Sequence, residues 1–168
     1  QGRVRHLRVI GDKIWAPSIY LMHAFTTFWS FMAETTKIRV QAIITLRNPF
    51  DVIATMHKRS GASLRNRLGL FFNTCEAILS IRENLPAADY REVRHERLVD
   101  DPRSELEGVL DFLGLQNEGG YLDATTSLVR KSSHKSRLDI EWPQAVRSLV
   151  DRKIAEYDFL AGYSFDGD

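Results

Sequence analysis

The sequence is short of several things, and each shortage narrows the chemistry open to it. It holds one cysteine, Cys75, in 168 residues. A lone thiol closes no internal disulfide, and without a Cys-x-x-Cys pair a reducing, cytoplasmic compartment is the expectation. One cysteine also builds no tetrahedral metal site, and the histidines at 6, 23, 57, 95 and 134 show no paired ligand spacing, so no metal is expected. Charge of one sign is missing as well: 23 lysines and arginines stand against 22 aspartates and glutamates, a net charge of +1. Nothing draws the whole chain to nucleic acid or to an acidic membrane, so anion recognition has to be local. The longest apolar stretch, Ile19–Ala33, is broken by His23, Thr26, Thr27 and Ser30 and falls short of the roughly 20 residues of a membrane span. It reads as a buried helix. No repeat, low-complexity segment, signal-peptide pattern or Gly-x-x-x-x-Gly-Lys-Ser/Thr phosphate loop is present. The first residue is Gln1, and the chain is expected to continue upstream of it.

What is present fits one domain over residues 1–168, with 43% apolar residues to fill a core. Short β-type runs alternate with longer helical ones, which predicts an α/β fold with a mostly parallel sheet. Leu7–Ile10 is a short strand candidate ending at Gly11-Asp12-Lys13. Ile38–Leu46 is the clearest strand, its near-continuous apolar run suiting a central position with both faces covered. Asp89–Arg94 is a third. Asn48-Pro49 followed by Asp51 predicts a helix start, with an asparagine cap, a proline at the first position and an acid at the positive dipole end. That helix should reach Arg59 and break at Ser60-Gly61. Leu64–Leu85 is a second helix. Leu106, Val109, Leu110 and Leu113 mark a third, closed by Gly114, and a last one opens at Pro143. The intervening 116–142 stretch has weak periodicity and reads as loops with a short helix.

Charge is balanced overall but unevenly spread. Glu96–Asp123 carries eight acids and two arginines, whereas Val129–Arg137 carries Arg130, Lys131, Lys135 and Arg137 without an acid. The run His57–Arg67 is also basic and reads as a solvated face. Between these lies the most informative string, Ile44-Thr45-Leu46-Arg47-Asn48-Pro49-Phe50-Asp51. Ligands of open parallel sheets bind beyond the carboxyl ends of the strands, and Arg47 sits at such an edge before a helix N-terminus. Its guanidinium, free helical N–H groups and the Thr55 hydroxyl suit a phosphate. The same residues allow a plainer reading, in which Arg47 pairs with a carboxylate and Asn48-Pro49 only caps a helix.

Arg-Asn-Pro-x-Asp at a strand end, with a hydroxyl residue eight positions after the arginine, resembles the 3′-phosphate-binding motif of sulfotransferases that use 3′-phosphoadenosine 5′-phosphosulfate. Arg47 and Thr55 take the motif positions. Gly11-Asp12-Lys13 is similar to the family's lysine-bearing strand end. His95-Glu96-Arg97-Leu98-Val99-Asp100-Asp101-Pro102 resembles the family's Tyr-Glu-Asp-Leu-x-x-Asp-Pro segment. Ser132-Ser133-His134-Lys135-Ser136-Arg137 resembles the basic loop that closes over the nucleotide in bacterial members, and Leu160-Ala161-Gly162-Tyr163 the family's Leu-Gly-Tyr ending.

The resemblance implies a three-layer, phosphate-loop-type α/β fold, incomplete at its N-terminus. It implies 3′-phosphoadenosine 5′-phosphosulfate as co-substrate, its bisphosphate product, no metal, and a small-molecule or carbohydrate acceptor bearing a hydroxyl or amine. Lys13 would stabilise the transferred group. Arg47 and Thr55 would hold the 3′-phosphate, His95 would lie on the adenine side in place of a tyrosine, and Ser133, Lys135 and Arg137 would cover the nucleotide. The family's N-terminal phosphosulfate loop has no counterpart, and no general base can be named. Two alternatives stay open: a non-catalytic phosphate-binding or protein-interaction module, and a small nucleotide kinase. The aromatic-rich Phe25–Phe31 stretch is expected to meet the core or another copy of the chain, leaving a homo-oligomer open.

Overall fold

The computed structural model describes residues 8–14 and 28–168. Helix α1 (Phe28–Thr36) is followed by strand β1 (Ala42–Leu46), helices α2 (Pro49–Ser60) and α3 (Leu64–Asn84), and strand β2 (Tyr90–Arg94). Then come α4 (His95–Asp100), α5 (Pro102–Phe112), α6 (Tyr121–Thr126) and α7 (Gln144–Ile154). Three 3-10 turns, Ala87–Asp89, Ser136–Asp139 and Asp158–Leu160, join them. β1 and β2 form a parallel two-stranded sheet in the register Ala42↔Tyr90 to Leu46↔Arg94, with helices beside it.

Local chemistry explains the helices. Asn48 caps α2 by accepting the Phe50 N–H, Pro49 opens the helix, and Gly61 closes it at φ 67, a left-handed conformation natural to glycine. Ser63 caps α3, and Pro86 lies just beyond its last residues. Asp101 caps α5, so this helix starts four residues before Leu106, the first position its apolar spacing marked. The core forms where Leu46 of β1, Phe50 and Ile53 of α2, Phe72 and Ile78 of α3, and Val150 and Ile154 of α7 converge. Tyr157, Phe159 and Leu160 close it from the C-terminal side, Tyr157 stacking on Phe72 at 5.8 Å between ring centroids.

Several expectations need correction. The strand expected over Leu7–Ile10 does not form: residues 8–14 adopt no regular structure, Ile10 is 82% exposed, and Leu7 lies outside the described residues. The sheet therefore has two strands among the described residues, where three were expected. β1 is shorter than Ile38–Leu46 because pairing begins only where its partner does, at Tyr90 after the Ala87–Asp89 turn. Its faces are not both covered, since Ile43 is 38% exposed. The expected buried helix Ile19–Ala33 is described only from Phe28, where it is helical, and Phe31 there is exposed. Lys37, at φ 55, ends that helix.

Candidate functional site

Arg47 leaves the carboxyl end of β1, next to the first residues of α2. The groups around it do not offer the open helix end that the sequence suggested. Asn48 is fully buried, and its amide donates to the carbonyls of Ser164 (2.8 Å) and Gly167 (2.9 Å) and to Asp168 Oδ1 (3.2 Å). Its backbone N–H donates to Glu96 Oε1 at 3.0 Å, and Glu96 Oε2 accepts from the Tyr163 hydroxyl at 2.8 Å. Proline has no N–H, Phe50 N–H goes to the Asn48 side chain, and the N–H groups of Asp51 and Val52 go to the Asn48 carbonyl. The first turn of α2 is thus satisfied internally. The expectation that its N–H groups bind a phosphate is overturned, because each already has a partner inside the fold.

Asp51 lies in the same turn, 1% exposed, and is neutralised by Arg137, itself 1% exposed. Arg137 donates from Nη1 to Asp51 Oδ2 at 2.7 Å and from its backbone N–H to Asp51 Oδ1 at 2.8 Å. Its Nε donates to the Phe165 carbonyl at 2.7 Å and its Nη2 pairs with Asp168 at 2.9 Å. Arg137 was expected in a basic loop covering the nucleotide. It is buried instead, because the Ser136–Asp139 turn packs against α2 and every nitrogen of the guanidinium is engaged by protein.

Two hollows adjoin Arg47. The first, about 260 Å³, lies between the end of β1, helix α4 and the 129–134 segment. Arg47, Arg130, His95, Ser132 and His134 supply its polar lining, and Leu98, Val99 and Val129 its apolar walls. Arg47 Nη2 donates to the His134 carbonyl, while its Nε is buried without a hydrogen-bond partner among the described residues. A buried N–H of that kind retains its full need for an acceptor. No carboxylate pairs with Arg130 among the described residues, so two guanidinium groups face this space with charge to spare. His95 opens α4, and its Nδ1 lies 3.4 Å from Ser133 Oγ. The second hollow is larger, about 400 Å³, mostly apolar, and shares Arg47 and His95 with the first.

The remaining site expectations are placed as follows. Thr55 is half-buried on α2, four residues after Asp51 and so on the same helix face, and lines neither hollow. Lys13 is exposed and lines neither. Lys135 pairs with Asp168 at 3.3 Å. The segment between is pinned on its other side by Asp139, which receives Lys58 at 2.6 Å and His134 at 2.9 Å. The Lys58 hydrogen bond, then that of His134, holds the Asp139 carboxyl below the usual carboxylate range. The structure thus brings Arg47, His95 and Ser133 together and gives Lys135 and Arg137 partners within the protein. Sequence reasoning did not single out Arg130 and His134, although both fall in the acid-free basic run. The Asp51–Arg137 pair, 86 residues apart in the chain, left no local signal.

Among the described residues no group of three or more metal-ligating side chains occurs, and no helix is long and apolar enough to cross a membrane. Fold and hollow together define an α/β protein with a cationic, apolar-walled space at the carboxyl end of a parallel strand, the usual place for a nucleotide or other anion. The sulfotransferase family model matches residues 40–119. The match spans β1, Arg47, Thr55 and the His95–Pro102 segment, so the resemblance carried by those motifs is shown over that stretch; Lys13 and Ser133–Arg137 lie outside it. Neither the curated proteins nor the solved structures gave a match.

Proposed function

We propose that this chain is part of a sulfotransferase that moves a sulfuryl group from 3′-phosphoadenosine 5′-phosphosulfate to an acceptor hydroxyl or amine. The observation that carries the reading is Arg47: it lies within the family-matched segment, at the end of β1, with a buried, unpartnered Nε at the wall of the cationic hollow. The hollow suits the nucleotide. Leu98, Val99 and Val129 offer apolar walls to a flat purine, His95 an imidazole face, and Arg47 with Arg130 the charge for a phosphate. Thr55 is assigned to the 3′-phosphate and Lys13 to the transferred group by resemblance. Ser133 and Lys135 belong to the covering segment, and Arg137 anchors it from beneath.

Sulfuryl transfer joins the acceptor atom to sulfur and breaks the bond between sulfur and the donor's phosphate oxygen. The electron pair stays on that oxygen, and the acceptor's proton leaves to solvent. Catalysis rests on alignment and on fixed cations that meet the developing charge. The test is calorimetric titration of the full chain with adenosine 3′,5′-bisphosphate. Arg47→Ala should weaken binding by roughly 10- to 150-fold, the worth of a hydrogen bond to a charged group. Wild type should prefer the bisphosphate to adenosine 5′-phosphate, and the variant should not. Equal wild-type affinity for the two nucleotides refutes the assignment.

One observation favours a second reading, a binding module without transfer: Lys13 is exposed and lines neither hollow. A transfer assay with Lys13→Ala separates the two, since an active chain insensitive to this change dissociates Lys13 from catalysis and an inactive but nucleotide-binding chain supports the module.

A further inference from the structure

The second hollow has the opposite chemistry to the first. Val52 and Met56 of α2, Phe71 and Ile78 of α3, and Phe159 and Leu160 of the C-terminal turn supply its walls. Val52 and Met56 stand at i, i+4 and Phe71 and Ile78 at i, i+7, so each helix turns an apolar stripe to the same space. No carboxylate lines it, and Arg47 is its one lining cation among the described residues. The Cys75 thiol in its wall stays protonated, since burial, with Glu76 adding to it, pushes the group up to about 12. Arg47 and His95 line both hollows, so the two spaces meet across these side chains.

This arrangement selects its occupant. At about 400 Å³ the space falls within the roughly 300–1,000 Å³ typical of small-molecule sites. Besides Arg47 and His95, two hydroxyls line it, those of Thr45 and of Thr74, which already donates to the Leu70 carbonyl at 2.9 Å. These are too few to replace the hydration shell of a polyhydroxylated or ionic ligand against Val52, Met56 and Phe71, whereas an apolar body gains by burial. A single hydroxyl can still be met at the end where Arg47 and His95 stand. We propose that this hollow is the acceptor site, and that the acceptor is an uncharged alcohol or phenol with an apolar body; the proposal rests on the sulfuryl-transfer reading above. The acceptor oxygen bonds to sulfur, the donor's sulfur–oxygen bond breaks with its electron pair left on phosphate, and the hydroxyl proton passes to water.

The experiment titrates the full chain with 2-naphthol and with glucose, alone and in the presence of adenosine 3′,5′-bisphosphate, and repeats it with Val52→Trp, which fills the hollow from a half-buried position. The expected result is 2-naphthol binding weakened roughly tenfold or more in the variant, no glucose binding, and unchanged nucleotide affinity. If Val52→Trp does not fold by circular dichroism, Met56→Trp, one turn along the same face, gives the same readout. Absent 2-naphthol binding, the outcome if a segment of this chain fills the hollow, overturns the proposal, as does equal binding by wild type and variant. If 2-naphthol binds and responds to the variant but the bisphosphate does not bind at all, the sulfuryl-transfer reading is what fails, and the acceptor role falls with it.

Discussion

Replacing Arg137 with leucine separates a structural arginine from a ligand-binding one. The native guanidinium is 1% exposed and contacts Asp51, Asp168 and the Phe165 carbonyl; leucine keeps an apolar stem and removes all of these bonds. Asp51, also 1% exposed, is then left as a buried carboxylate with the residue-137 backbone N–H as its remaining partner from that turn. Breaking a buried ion pair from one side costs about 3–5 kcal/mol, against a total stability of about 5–15 kcal/mol for a domain. With a urea m-value of about 2 kcal/mol/M, the unfolding midpoint should fall by on the order of 2 M. Tryptophan fluorescence reports the transition well, because Trp142 Nε1 donates to the Arg137 carbonyl at 3.0 Å. Removing both charges, Asp51→Leu with Arg137→Leu, should cost less than the sum of the single changes, since no charge is then stranded. A midpoint shift of less than about 0.3 M in Arg137→Leu, comparable to an exposed arginine, refutes the reasoning.

Three further outcomes follow from the same structure. Cys75 should resist iodoacetamide at pH 8 in the native protein and react in urea: burial, aided by Glu76, raises its pKa from 9.0 to about 12, so the thiolate fraction falls about a thousandfold. Gly114→Ala should destabilise by about 1–2 kcal/mol in urea unfolding, because φ is 66 and a Cβ there meets nothing within 4 Å, leaving only the backbone cost. Acid stability should depend on Asp168. Burial pushes its carboxyl up, but Arg137, Lys135 and Asn48 together outweigh that and hold it below the usual range. Its contribution is therefore complete above the unfolded value, about 3.9, and lost as pH falls through the lower folded one. Asp168→Asn should narrow the difference in urea midpoint between pH 7 and pH 3.

The sequence alone determined the features whose causes are local. Pro49 and Asn48 start α2, Gly61 stops it, and Gly114 follows α5, because caps and left-handed turns depend on a few adjacent atoms. The place of Arg47 in the fold was legible for the same reason, at the boundary between an apolar run and a capped helix. Tertiary structure decided the rest. Strand β1 ends up as long as its partner allows, which no property of residues 38–46 specifies. Within the basic run 129–137, Arg137 was given to the buried Asp51, Lys135 to Asp168, and Arg130 was left facing the hollow. A cation in a sequence carries its charge but not its partner. Which of four neighbours meets a carboxylate and which stays open to a ligand follows from distances set by chain segments 33 to 86 residues apart.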